Sequence, residues 1–178
     1  MYKSLSRARN AERKESLGHI RNALETYLVD YGFFPPSTED GKILACEKDG
    51  VDYESIVKMN KKLIDLEIDY NDIFRGCEWG EDPLGDVFDK DYPPYLETLP
   101  IDPFHEKGVS FYYQSSGRRY QVYAALEGKN EELGQEEIEK RSLPCGNKIC
   151  NFGRALGNTP LDKSLEEYEN ELRQKANE

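Results

Sequence analysis

The stretch from Leu5 to Tyr31 constrains the fold more than any other. Large side chains recur there at Leu17, Ile20, Leu24, Tyr27, Leu28 and Tyr31. Steps of three and four put them on one stripe of an α-helix. The stripe occupies only the second half. From Ser6 to Ser16 the side chains are small or charged, with Ala8 and Ala11 the only apolar ones. A helix of this length runs about 40 Å, long for a small domain. The expectation is a rear that packs on a domain and a front with nothing of its own to bury. The opening Met1-Tyr2-Lys3 enters the helix with no cap signal such as Ser-x-x-Glu, as a helix does when it is cut in its middle.

The rest of the chain must supply the body for that stripe. Its 178 residues suffice for one domain with a sizeable core. Hydrophobic content is low at 37%, and twelve tyrosines predict a small, half-aromatic core with generous loops. The net charge of −11 argues against nucleic-acid binding. That charge is uneven. Residues 1–23 carry Lys3, Arg7, Arg9, Arg13, Lys14 and Arg21 against Glu12 and Glu15, or +4, which leaves −15 for the remainder. A basic collar suits anionic lipid headgroups beside a membrane anchor; a solvated helix face is the plainer reading. No run is long enough to cross a bilayer, and no signal peptide is visible.

The four cysteines, Cys46, Cys77, Cys145 and Cys150, allow three pairings. The short gap containing Gly146-Asn147 favours Cys145–Cys150 and leaves Cys46 for Cys77, although spacing alone does not fix the pairing. Zinc is the rival, but neither C-x₂-C knuckle is present. Disulfides place the chain in an oxidising compartment outside the cytoplasm.

After the long helix, Gly32 reads as its C′ residue and Pro35-Pro36 prevents resumption. Residues 37–50 read as loop tied down by Cys46. Tyr53 to Leu66 reads as a helix capped by Asp52, with Ile56, Val57, Leu63 and Ile64 as its stripe. Residues 69–94 are irregular and acidic, and Trp79 beside Cys77 suggests a disulfide stacked on an aromatic ring. Tyr95, Leu96 and Leu99 form an apolar knot before Pro100, and Asp102-Pro103 starts a turn. Val109, Phe111 and Tyr113 then alternate with Ser110, Tyr112 and Gln114. Ser115-Ser116-Gly117 is turn chemistry, and Tyr120, Val122, Ala124 and Leu126 alternate with Gln121, Tyr123 and Ala125. The pair reads as an antiparallel hairpin with one face on the helix stripe. Glu127 to Ser142 is polar, either loop or weak helix. Ile149 and Phe152 suggest a third short strand, and Leu165, Tyr168 and Leu172 a terminal helix that frays at Lys175.

Little here points to catalysis. His19 lies off the apolar stripe and His105 in a turn, neither in a recognisable nucleophile context. There is no Gly-rich phosphate loop and no H-E-x-x-H. Asp65, Glu67, Asp69 and Asn71 alternate like a calcium loop, but Tyr70 and Gly76 stand where glycine and glutamate are required. Loop carboxylates at Asp82, Asp86, Asp89 and Asp91, or Glu127 with Asn130 to Glu132, are the remaining calcium candidates, set against a solubilising acidic surface.

Three runs resemble a known family. Ala8-Arg9-Asn10-Ala11-Glu12-Arg13-Lys14 through Leu17, Ile20, Ala23-Leu24-Glu25 and Tyr27 to Tyr31-Gly32-Phe33-Phe34-Pro35 resembles the segment after the membrane half-helix of type IV pilins and type II secretion pseudopilins. Tyr95-Leu96-Glu97-Thr98-Leu99-Pro100-Ile101-Asp102-Pro103 is similar to the LPxDP element before their sheet. Phe111-Tyr112-Tyr113 and Tyr120-Gln121-Val122-Tyr123-Ala124-Ala125-Leu126-Glu127 resemble their first two strands. The resemblance covers residues 1–35 and 92–127, and the order and spacing of the runs are more specific than any one of them. The connection from Pro36 to Asp91 is longer than in a typical major pseudopilin. The family's calcium loop follows the second strand; Glu127 to Glu137 is acidic here but its ligands do not align residue by residue, so no metal site is carried across.

The resemblance implies an α+β, pilin-like fold, with a long N-terminal helix packed on a small antiparallel sheet and an elaborated α–β loop. Residues 1–178 would form one domain: the helix at 1–32, the loop region with a short helix at 33–107, the hairpin at 108–127, and a C-terminal region at 128–178 with a small disulfide loop and terminal helix. It implies a structural subunit of an extracytoplasmic helical filament of the secretion type, not an enzyme and with no cofactor beyond calcium. Family members carry a basic leader, cleaved and N-methylated by a prepilin peptidase, and an apolar half-helix that anchors them in the inner membrane. The present sequence then reads as a soluble fragment. Its partners would be other pilin-like subunits, the inner-membrane assembly machinery and the membrane, not nucleic acid. The alternatives are a type IV pilus or DNA-uptake pilin, and an exported calcium- or carbohydrate-binding module.

Overall fold

The computed structural model describes residues 2–58, 69–128 and 135–177. It is a mixed α+β chain: a long N-terminal helix and small antiparallel sheets. In chain order these are α1 (Tyr2–Tyr31), β1 (Leu44–Glu47), α2 (Tyr53–Lys58), α3 (Tyr70–Ile73), β2 (Phe74–Gly76), β3 (Tyr112–Ser115), β4 (Tyr120–Ala124), α4 (Gln135–Lys140), β5 (Pro144–Cys145), β6 (Lys148–Ile149), β7 (Phe152–Ala155) and α5 (Leu165–Ala176).

Helix α1 ends where its chemistry changes. Gly32 takes φ +78°, and its N–H bonds the Leu28 carbonyl at 2.8 Å, the left-handed cap that glycine makes without steric cost. Leu17, Ile20, Leu24 and Tyr27 are at most 3% exposed and lie in one cluster with Phe111, Tyr113, Tyr120, Val122, Ala124 and Phe152. The main sheet has the order β3-β4-β7, all antiparallel. The expected third strand exists but is Phe152–Ala155. Ile149 belongs to the separate β5-β6 ribbon and is 53% exposed. The hairpin expected over 108–127 is hydrogen-bonded as strands only from Tyr112 to Ala124.

Every residue of β4 is buried, so the sheet is covered on both faces. Residues 113, 120, 122 and 124 face the helix; Tyr112, Tyr123 and Ala125 pack with Val109, Ile138, Cys145 and Cys150 on the back. Arg141 bonds Tyr123 Oη, Gln121 Oε1 at 3.2 Å, Gln114 Oε1 at 3.1 Å and the Leu161 carbonyl at 3.0 Å. Gly153 makes room for that layer, since a Cβ there would lie 2.8 Å from the Tyr123 ring.

The 33–107 region is richer than one short helix in a loop. Residues 44–47, expected as loop, form β1 and pair with β2, and the Cys46–Cys77 disulfide closes this small sheet. Asp52 caps α2 through the Ser55 N–H at 3.1 Å; residues 59–66 of the expected helix lie outside the described residues. Aromatic rings join this region to α1. Tyr31, Phe33, Tyr70, Phe74 and Phe88 touch in succession, and Tyr27 packs on both Tyr31 and Tyr95, with centroids 4.4 to 6.2 Å apart. Trp79 is set edge-on against Phe111 and packs on the cluster that holds Cys46 and Cys77. Cys145–Cys150 closes the β5-β6 ribbon, and α5 starts with a Ser164/Glu167 capping box.

Loop length ranks the two disulfides. Cys46 and Cys77 are separated by 31 positions, Cys145 and Cys150 by 5. Replacing the first pair by alanine is expected to cost about 4 kcal/mol and the second about 2 kcal/mol. Denaturant titration of the two double variants checks the order; equal losses would contradict it.

Candidate functional site

The front of α1 is not idle. Arg13 lies four residues before Leu17, on the stripe itself, and is 1% exposed. Its Nε and Nη2 donate to the two carboxylate oxygens of Asp102 at 2.7 and 3.0 Å, and its Nη1 donates to Glu127 at 2.9 Å. Arg9 grips Glu127 through Nε and Nη2, both at 2.6 Å. Asn10 completes the seam: its amide donates to the Glu127 carbonyl at 3.0 Å and its oxygen accepts the Glu127 N–H at 2.8 Å. The expectation that residues 6–16 have nothing to bury is therefore overturned from Arg9 onward, because the body offers this face carboxylates rather than apolar groups.

Local chemistry holds the acceptors. Asp102 accepts the Phe104 N–H at 2.7 Å, closing the turn that Pro103 begins. Asn151 braces the end of β4, with its oxygen accepting the Leu126 N–H at 2.7 Å and its amide donating to the Leu126 carbonyl at 3.1 Å. The Phe104 ring lies 4.6 Å from the Arg9 guanidinium carbon and 5.5 Å from that of Arg13. Two guanidiniums meet two carboxylates, so the buried charge balances. Burial works against the Arg13 charge, but the hydrogen bonds to Asp102 and Glu127 outweigh it and hold its pKa above the ordinary value. Hydrogen bonding from Arg9 holds the Glu127 carboxyl below its ordinary 4.5; partial burial opposes this and Arg13 adds to it.

The clamp changes the meaning of the basic collar. Of its six cations, Arg9 and Arg13 are spent inward. Lys14 lies over the Phe152 ring at 5.3 Å, and Arg21 pairs with Glu25 at 3.6 Å. Arg13 could have been found in the sequence, since it continues the 17-20-24-27 face backward by one turn. Asp102 and Glu127 gave no such signal, being 89 and 114 positions away.

The other candidates scatter. His19 is exposed beside Glu15, and His105 sits exposed in a 3-10 turn, its ring 3.2 Å from the Asp102 carbonyl. Asp82 is held by Arg75 at 2.6 and 2.9 Å, Asp86 closes a turn on the Phe88 N–H, and Asp89 does the same for Asp91. Asp65, Glu67 and Asn130 to Glu132 lie outside the described residues, as do residues 129–134 of the acidic run after β4. Among the described residues, no group of three or more His, Cys, Asp or Glu is placed to hold a metal ion, and no helix is long and apolar enough to cross a membrane.

Beside the clamp, and sharing Asp102 with it, is an open groove of about 480 Å³. Trp79, Ile101 and Val109 form its apolar side; Asp40, Lys42 and Glu78 form its polar side. No protein-family model matches the chain, and neither does any curated protein or solved structure.

Two outcomes follow from the clamp. Arg13→Leu and Asp102→Leu are each expected to cost about 3–5 kcal/mol, because each strands a buried charge. The double variant should lose clearly less than the sum; additive losses in denaturant titration would show that the pair is not coupled. Glu127, a carboxyl with a depressed pKa, contributes stability that is full above 4.5 and is lost as pH falls through its folded value. Melting curves of Glu127→Gln should therefore decline less steeply below that pH than those of the parent chain.

Proposed function

We propose that the chain is the globular part of a pilin-like filament subunit, of the secretion pseudopilin type, held at the extracytoplasmic face of the inner membrane. One observation carries this reading: the three runs that resemble the family meet in the clamp. Arg9, Asn10 and Arg13 come from the first run, Asp102 from the LPxDP-like run, and Glu127 from the end of the second strand run. Supporting it are a 30-residue helix packed on a small antiparallel sheet and two disulfides that fit an oxidising compartment.

On this reading the chain acts by assembly and carries no active site. An apolar half-helix continuous with α1 holds the subunit in lipid. Assembly exchanges its lipid contacts for helix–helix contacts, with little net change in apolar exposure, and so stays near balance. The clamp would set the angle between that stem and the body, and every repeat of a helical filament inherits that angle. A subunit with a loose stem could still enter the membrane but would not stack in register.

The test uses the chain joined to its genomically encoded upstream residues, expressed with the assembly machinery of its host. Arg13→Leu should leave membrane fractionation unchanged and abolish filaments in electron micrographs of sheared cells. Normal filaments from Arg13→Leu would remove the role of the clamp. An upstream sequence lacking an apolar run of about 20 residues would remove the filament reading itself.

A further inference from the structure

The groove beside the clamp is built from parts that hold one another still. On the polar side, the Lys42 ammonium bonds Glu78 at 2.6 Å and lies 3.5 Å from Asp40. The turn carrying Lys42 is closed by the Thr38 N–H to the Lys42 carbonyl at 3.0 Å and by the Lys42 N–H to the Thr38 hydroxyl at 2.9 Å. On the apolar side, Trp79 is fixed edge-on by Phe111 behind it, with ring centroids 5.6 Å apart. The Gly80 N–H bonds the Leu99 carbonyl at 2.9 Å, and Ile101 packs against Gly80 so closely that a Cβ there would lie 2.6 Å from it. Val109 and Gly146, which also line the groove, are joined by a β-bridge beside the buried Cys145.

This chemistry selects for a class of ligand. Asp40 and Glu78 outnumber Lys42 by one charge, and Asp102 is matched by Arg13, so the groove disfavours an anionic ligand and offers a neutral one hydrogen-bonding groups of both kinds. The lining combines an indole ring with fixed carboxylate acceptors next to an ammonium donor. A pyranose ring has the complementary form: a face of C–H groups, which packs on an aromatic ring, and a rim of hydroxyls, which bond best to charged partners. A volume of about 480 Å³ lies within the usual range for small-molecule sites. We propose that this groove binds a neutral glycan, one sugar ring lying against Trp79 with its hydroxyls bonded by Glu78, Asp40 and Lys42. The inference goes beyond the filament reading and stands on the groove alone.

Trp79 is the only tryptophan of the chain, so indole emission comes from a residue of this groove. The probes are cellotriose, maltotriose and chitotriose, titrated through the millimolar range against sorbitol as the non-binding polyol. At least one trisaccharide should shift the Trp79 emission saturably while sorbitol does not. Glu78→Gln, a half-exposed position whose change leaves the fold in place, should weaken that binding about tenfold. Trp79→Ala, followed by calorimetry because it lacks the reporter, should abolish it. The proposal is overturned if no trisaccharide shifts the emission, if sorbitol shifts it equally, or if Glu78→Gln binds as well as the parent. It is likewise overturned if the emission responds only to raised chain concentration, which would assign the groove to a second copy. None of these outcomes bears on whether the anchored chain forms filaments.

Discussion

The buried guanidinium of Arg13 is the constraint on which the arrangement of helix and body depends. Taking it out of water is costly, and two carboxylates from distant segments, Asp102 and Glu127, make the cost bearable. Such a network adds little net stability over a well-packed apolar seam. Its effect is geometric. Apolar contacts along the 17-20-24-27 face tolerate some rotation and sliding of the helix; five hydrogen bonds from Arg9 and Arg13 to two carboxylates do not. The stem direction is thereby tied to the turn at Asp102 and to the end of β4.

A second arginine solves the matching problem on the other side of the sheet. Burying both faces of β4 leaves Gln121 and Tyr123 needing partners, and Arg141 supplies them while binding the Leu161 carbonyl. The chain has few aliphatic residues to spend on a back layer, so it spends a polar network instead. Disulfides tie the small sheets into both layers: Cys46–Cys77, buried in the helix-side core, closes the two-stranded sheet, and Cys145–Cys150, buried in the back layer, closes the ribbon. Tyrosine rings fill the space between α1 and the 33–107 region.

Much of this was legible in the sequence because it rests on periodicity or local turn chemistry. The stripe from Leu17 to Tyr31, the Gly32 stop, the Asp52 cap and the alternation about Ser115-Ser116-Gly117 all follow from neighbours a few residues apart. What was missed depends on distant partners. Arg13 read as one cation of a basic collar because its carboxylates lie 89 and 114 positions away. Strand β1 is four residues long and stands only because β2 and a disulfide pair with it. Strand β7 carries Gly153 and Arg154 where a strand pattern calls for large residues, because Tyr123 fills the space over the glycine. The groove was equally invisible, since Lys42, Trp79 and Ile101 meet only once the 33–107 region has folded.

The central claim is that polar contacts hold α1 to the body well ahead of its apolar stripe. Amide hydrogen exchange along the helix tests it most directly. If the clamp holds, protection approaching that of global unfolding begins near Arg13, and only the turns before Arg9 exchange quickly. Protection that begins at Leu17, with Arg13 exchanging as fast as Arg7, would mean that the apolar stripe alone holds the helix and that the clamp has no hold on it.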